Sequence, residues 1–413
     1  MSRLKTYIIA GVLGIVFFSC ENVEKNKNDE SIPVKQEIII QEIESPAKMS
    51  SSVPNLFINK KGTAYLTWTE SDENAKASLY FSTLVDDNWQ APIKISEGTD
   101  WVVNWADFPS LTQFGDSSLV VNYLVETNPE TFAYDVQLMI SNDNGKTWED
   151  SFTPHTDKTQ TEHGFVSLVP YQNETFMAVW LDGRKYATGE DEMTLRAAII
   201  NKQGNVEQEF VLDERVCDCC ATDAVATANG ISVVYRNRDK NEVRDMFIVE
   251  FKDGKWSAPK IIGQDNWEIA GCPVNGPAID VSGNTTVVAW FTEAKDSAKV
   301  NFALSNNSES FSNPIKINTQ APVGRVDVCF IDENTAAVSW METDDQTTYL
   351  KVRKIKTDGT FTLEEPIIVS VMEDARSSGF PKMIRRKNHL IFAWTGTKNQ
   401  SNIRTAMVNI SSL

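Results

Sequence analysis

Seven strand-like apolar runs recur along this chain: AYLTW, VVNYL, FMAVW, ISVVY, TVVAW, AAVSW and LIFAW. Each carries one aromatic anchor, namely Trp68, Tyr123, Trp180, Tyr235, Trp290, Trp340 and Trp394. Successive anchors lie 55, 57, 55, 55, 50 and 54 residues apart. Spacing of that length marks one supersecondary unit used repeatedly. The flanking pattern predicts three more strands per unit. A short apolar run precedes the anchor, as in FPSL (108–111) and FPKM (380–383). Another follows it, as in LYFS (79–82), QLMIS (137–141), MFIVEF (246–251) and NFALS (301–305). The last starts from an aromatic, often with a proline: NWQAPIKI, KWSAPKII, SFSNPIKI and TFTLEEPIIV. In chain order these are strands A to D, and the anchor sits on B.

Units made only of strands, repeated at this length, close radially into a β-propeller of four-stranded blades. The fold class is therefore all-β. The repeat count predicts seven blades, with six as the alternative. The seventh unit reaches Leu413 without a D strand, while residues 36–44 (QEIIIQEIE) form a spare strand ahead of the first unit. That spare strand is expected to complete the last blade and so remove an open sheet edge.

The first residues read as a targeting segment. Arg3 and Lys5 precede an apolar stretch over residues 7–18, which meets Ser19-Cys20. The stretch is too short to span a bilayer. A small residue before Cys20 resembles a bacterial lipobox, with Phe17 in place of the usual Leu. The expected organisation is a lipoprotein signal peptide over 1–20 with lipidated Cys20, a charged tether over 21–35, and a propeller over 36–413. This implies export to the cell envelope and a lipid anchor to a membrane through Cys20. A formal net charge of −18 sets the chain against nucleic acid and anionic membrane surfaces. The expected state is a monomer.

In such blades the D-to-A and B-to-C loops emerge together around the central channel. The D-to-A loops carry Trp105, Asp107, His163, Cys217, Cys219, Cys220, Cys272, Asn275, Arg325 and Arg376. The B-to-C loops carry Asp182, Arg184, Arg236, Arg238 and Glu342. Converging guanidiniums suit a carboxylate or phosphate, and the nearby acids could supply proton transfer. The candidate catalytic set is Asp107, Arg325, Arg376 and Glu342. The candidate substrate-binding set is Trp105, Asp182, Arg184, Arg236, Arg238 and Asn275. The opposing reading pairs these arginines with the acids as loop locks, with Arg244–Asp245 and Arg325–Asp327 as examples. Cys217, Cys219, Cys220 and Cys272 are an even set in an exported chain, so disulfide stapling is the first expectation. The alternative is a copper or zinc site that adds His163. No cofactor follows with certainty. Cys329, on an inner strand, reads as buried filler.

The segment Ser141-Asn142-Asp143-Asn144-Gly145-Lys146-Thr147-Trp148 fits S-x-D-x-G-x-T-W, the Asp box. With the four-stranded units it resembles the sialidase superfamily of Asp-box propellers. VCDCC (216–220), NWEIAGCPVNGP (266–277), GRVDV (324–328) and RSSGFP (376–381) resemble, more narrowly, a group of bacterial exported proteins described as exo-α-sialidase-like. The resemblance covers roughly residues 50–410. It implies a glycoside hydrolase, or a glycan-binding protein, with an anionic glycan as partner. Sialidases use an arginine triad, a Tyr–Glu nucleophile pair and an Asp acid. Where their first arginine stands in R-I-P, this chain has Ser51-Ser52-Val53-Pro54, and no nucleophilic Tyr is identified by spacing. The alternatives are a metal- or redox-linked propeller built on the cysteine loops, or a protein-binding scaffold without catalysis.

Overall fold

A computed structural model describes residues 39–172, 174–306, 310–397 and 402–413. The signal peptide, Cys20, the tether and the first residues of the proposed closing strand lie outside the described residues. Seven antiparallel sheets form seven blades in a ring, as the repeat count predicts. The B strands are Ala64–Ser71, Ser118–Asn128, Thr175–Asp182, Gly230–Arg236, Thr285–Thr292, Thr335–Asp344 and His389–Thr395. Each carries its anchor near the middle or end. Blade 2 is the thinnest: its fourth position is reduced to a bridge between Leu138 and Phe152.

The anchors explain why the period is so regular. All seven are at most 6% exposed, and each packs against the preceding blade. Trp180 of blade 3 joins Phe114 and Ile140 of blade 2. Trp340 of blade 6 joins Phe302 of blade 5. Trp68 of blade 1 joins Ile391, Ile403 and Met407 of blade 7, which carries the same contact across the point of closure. One large ring per blade thus fills the wedge between neighbouring sheets, and truncating one to Ala costs about 3–5 kcal/mol.

The last blade is closed as expected. Ile40–Ile43 pairs antiparallel with Ile403–Asn409, in the register Ile40 to Val408 and Ile43 to Thr405. Trp89 of blade 1 donates its indole N–H to Thr405 Oγ1 at 3.0 Å, and Ile403 N–H bonds Ser51 Oγ at 2.9 Å, so blades 1 and 7 are also tied laterally. The Asp box is a closed hairpin between strands C and D of blade 2. Asp143 Oδ1 accepts the N–H groups of Lys146 and Thr147, both at 2.9 Å. Gly145 has φ +83°, and a Cβ there would meet Phe81 at 2.4 Å. Among the described residues no helix is long and apolar enough to cross a membrane.

Candidate functional site

The central cavity, about 370 Å³, is walled by the A strands. Three seams around it share one device. Asp223, Asp280 and Asp327 each reach the next blade with Oδ2, accepting N–H from Ile279 (2.9 Å), Phe330 (2.7 Å) and Met383 (2.7 Å). Their Oδ1 atoms accept the N–H of the following residue, Ala224, Val281 and Val328. Both oxygens are used. Burial still pushes these carboxyls up, Asp223 to about 7 and Asp280 to about 6, with Asp327 raised as well.

Asp107 stands at the corresponding place between blades 2 and 3, where the Phe165 backbone N–H favours its carboxylate, but the rest of its surroundings differ. Its Oδ1 has no partner. Its Oδ2 lies 3.4 Å from the Tyr134 hydroxyl. Burial, aided by the nearby Glu162 carboxylate, raises Asp107 to about 7. Gly164 makes the approach possible, because a Cβ there would stand 2.1 Å from Asp107 Oδ2 and 2.8 Å from the Tyr134 ring. Glu162 is half-buried and is itself raised by burial and by Asp218. Tyr186 shares this neighbourhood, with Asp218, Asp191 and Arg238 acting on it. Arg238 holds Asp218 at 3.1 Å, Asp191 at 3.3 Å and Glu242 at 3.0 Å. A proton-holding carboxyl, a phenol and a second, half-buried carboxyl thus meet beside the channel. Tyr134, Glu162 and Tyr186 are absent from the sequence-derived set. Glu162 could have been found as the neighbour of His163 in its loop, and Tyr134 as the start of a C strand on the loop-bearing face.

Two predicted site acids are structural. Glu342 is fully buried and saturated: Lys351 Nζ (2.6 Å), Thr319 N (2.9 Å), Thr319 Oγ1 (2.6 Å) and Trp340 Nε1 (2.9 Å) all donate to it. Burial pushes its pKa up, but these donors outweigh burial and hold it at about 2. A carboxylate so occupied has no lone pair free for a substrate, which corrects its catalytic assignment. Asp182 likewise caps Trp180 Nε1 at 2.8 Å and binds Arg184 through both oxygens at 2.7 Å. Glu70 caps Trp68 at 3.0 Å. The shared pattern is Trp-x-acid, in which the acid satisfies the indole N–H of the blade's own anchor.

The arginines do not form a free cluster. Arg236 gives its N–H groups to the carbonyls of Asn275, Arg244 and Phe291 and lies over Trp267 at 4.8 Å. Arg325 donates to Gly379 O (2.9 Å) and Ala375 O (3.0 Å) and lies over Trp105 at 5.1 Å. Burial without a carboxylate partner lowers it to about 10. Trp105 stacks on Phe380 at 5.8 Å. Asn275 is a seam residue, accepting Arg325 N–H at 2.8 Å. Arg184 is engaged by Asp182 and Glu209. Arg376, on the 3-10 turn Arg376–Ser378, is exposed, and with Lys382 in the cavity wall it takes part in no ion pair among the described residues. The two expected locks are replaced by others: Asp245 accepts N–H from Asn266 and Trp267, and Asp327 from Val328 and Met383.

His163 belongs to a different cluster from the cysteines. It stacks on His155 at 4.0 Å with the rings 10° apart. Asp135 brackets one edge, 3.0 Å from His163 Nδ1 and 3.6 Å from His155 Nε2. Asp157 brackets the other, 2.7 Å from His155 Nδ1 and 3.3 Å from His163 Nε2. The stacked rings turn their ring nitrogens toward the two carboxylates, to which protonated imidazole N–H groups donate, and the Asp135–His155–His163 and Asp157–His163–Asp182 groups are each also close enough to hold a metal ion. Burial pushes His163 down, but Asp135 and Asp157 outweigh it and raise the imidazole to about 9.

No disulfide links the described cysteines, all five of which are free thiols. Cys272 is exposed and stands outside the sulfur group, contrary to the four-cysteine expectation, whereas Cys329 is buried as expected. Cys217, Cys219 and Cys220 converge, with Cys217 Sγ 2.7 Å from Cys220 Sγ. Burial raises the Cys217 thiol, but its sulfur neighbours and Arg236 outweigh this and bring it well below the ordinary range.

No family model matches the chain, and no curated protein matches it. Solved structures do match. The chain is similar to a polysaccharide lyase of family PL25, an ulvan lyase bound to -[GlcA(1-4)Rha3S]-, with TM-score 0.55, 12% identity, 90% of this chain and 96% of that one covered. It is also similar to the α-L-arabinofuranosidase Arb93A of Fusarium graminearum, E242A mutant with an iminosugar inhibitor (TM-score 0.50, 12% identity, 91% and 98% covered). A mutant of the NanB sialidase of Streptococcus pneumoniae matches at TM-score 0.47 and 12% identity, covering 90% of this chain and 70% of that one. At these identities the likeness to the first two establishes the β-propeller fold alone.

Proposed function

We propose that this protein is a glycan-acting enzyme of the cell envelope, with Asp107 as proton donor to a glycosidic oxygen. The observation that carries the reading is the departure of Asp107 from the other seam aspartates. It has one unbonded oxygen and lies 3.4 Å from the Tyr134 hydroxyl, while, like Asp223, it keeps its proton to about pH 7. A carboxyl neutral near the working pH is the requirement for general acid catalysis. Glu162 is the second carboxyl of the pair, and Tyr134 lies between the influence of both. An anionic sugar is the substrate class, because Arg376 and Lys382 make no ion pair among the described residues, although Lys382 also lies within the electrostatic reach of Asp223 and Asp327. The glycan-cleaving neighbours of this fold support the reading by analogy alone.

The test is incubation with uronate-containing, sialylated and arabinan oligosaccharides, read as new chain ends. Cleavage of one class, lowered about 10²–10⁴-fold in Asp107→Asn with an unchanged melting curve, is expected. Equal cleavage by Asp107→Asn and wild type would exclude the role of Asp107. No binding to any glycan would leave a protein-binding scaffold. The envelope part of the proposal rests on the sequence around Cys20. It requires that Cys20→Ser release the chain from the membrane fraction.

A further inference from the structure

A disulfide uses two thiols, yet the loop between blades 3 and 4 brings three together. Cys217, Cys219 and Cys220 lie in one turn, and their Sγ atoms are all within 4.8 Å of one another. In an extended strand successive side chains diverge, so the turn is what gathers three sulfurs from four residues. Cys217 and Cys220 are buried, while Cys219 is half-buried and leaves a route from solvent. Arg244 Nη1 donates to Cys217 Sγ at 3.4 Å, and the Cys217 N–H is fixed on Arg236 O at 3.0 Å. The first is the kind of outer hydrogen bond that tunes a metal-binding thiolate.

We propose that Cys217, Cys219 and Cys220 form a three-sulfur site for a soft monovalent ion, Cu(I), at the seam of blades 3 and 4. Thiolates select Cu(I) over harder ions. Zn(II) in structural sites takes four ligands, and among the described residues no fourth donor joins this group: His163 is bracketed by aspartates and Cys272 is exposed elsewhere. Three thiolates and one Cu(I) carry a net charge that the Arg236 and Arg244 guanidiniums oppose. Metal–sulfur bonds of about 2.3 Å in a trigonal plane space the sulfurs about 4 Å apart, so the Cys217–Cys220 pair opens from 2.7 Å on binding. Binding displaces the thiol protons as sulfur–copper bonds form, with no change in oxidation state.

The experiment is an anaerobic Cu(I) titration of the reduced full chain, in a Cys20→Ser, Cys272→Ser, Cys329→Ser background, against a chromophoric Cu(I) chelator. One equivalent bound, with a near-ultraviolet thiolate–copper band and three sulfur neighbours by X-ray absorption, is expected. Cys219→Ala, at the half-buried position, should weaken affinity about 100-fold or more and leave the thermal melt in place, which separates ligand loss from misfolding. The proposal is overturned if no band appears, if Cys219→Ala binds Cu(I) as the background does, or if Zn(II) displaces Cu(I) at equal concentration. A Cys217–Cys220 disulfide that persists in the native mass of the protein isolated without reductant, and withholds the site from Cu(I), overturns it as well.

Discussion

At the seams of blades 4 to 7 and at the seam of blades 2 and 3, a buried aspartate faces the next blade's backbone. At the former, Asp223, Asp280 and Asp327 spend both oxygens on N–H groups. At the latter, Asp107 leaves Oδ1 unbonded and faces a phenol and a second carboxyl. Glu342 is the opposite extreme, equally buried and held at about 2 by four donors. Burial alone therefore does not say which acid can do chemistry. The donors around it decide.

The largest effect that would sharpen this contrast is at Glu342. Glu342→Gln leaves Lys351 buried without its counter-charge, at 2.6 Å in wild type, and should cost about 3–5 kcal/mol in urea unfolding. A loss under 1 kcal/mol would break the claim that saturation marks structural acids. Next is the pair Asp327→Asn and Asp107→Asn. The amide at 327 cannot keep two accepting oxygens, so about 1–3 kcal/mol is lost at pH 8. At 107 a half-satisfied carboxylate is removed, and stability at pH 8 should hold or rise.

The pH curves follow the same division. The folded pKa of Asp107 lies above its ordinary 3.8, at about 7, so the folded state holds more protons in that window. Its contribution to stability therefore falls as pH rises from about 4 to 7. For Glu342, whose folded pKa lies below 4.5 at about 2, stability is present above 4.5 and is lost as pH falls toward 2. Asp107→Asn should lessen the first slope, to which Asp223 and Asp280, raised to about 7 and about 6, also contribute, and leave the second, as followed by chemical denaturation across pH 3–8. His163 adds a third slope. Its pKa is raised from 6.5 to about 9, so its stabilisation is complete below 6.5 and lost as pH rises through 9. His163→Gln should abolish that loss between pH 7 and 10. The smallest effect is at exposed Arg376, where Ala should change stability by no more than about 0.5 kcal/mol. Unchanged binding of an anionic glycan in Arg376→Ala would remove this residue from substrate recognition.

The Trp-x-acid pattern was open to reading in the chain: Trp68-Thr69-Glu70, Trp180-Leu181-Asp182 and Trp340-Met341-Glu342 repeat it at the B strands. Read as a repeat, it assigns those acids to the anchors. Read loop by loop, it offers Asp182 to substrate binding and Glu342 to catalysis, where the structure engages both with the anchor indoles. Tyr134's place at the start of a C strand was legible, but its partner was not, since its proximity to Asp107 spans 27 residues and depends on the bare face of Gly164.

Blade number, anchor positions, the Asp box and closure by the N-terminal strand were all determined by the chain alone. Each depends on local alternation and a fixed period, and period is preserved in one dimension. Which carboxylate holds a proton, which arginine is free and which cysteines meet were decided only by the tertiary structure. Those properties depend on donors, charges and close approaches supplied by neighbouring blades. Between fifty and sixty residues of sequence separate Asp107 from Phe165 and Arg236 from Phe291, and only the packing of successive blades brings them together.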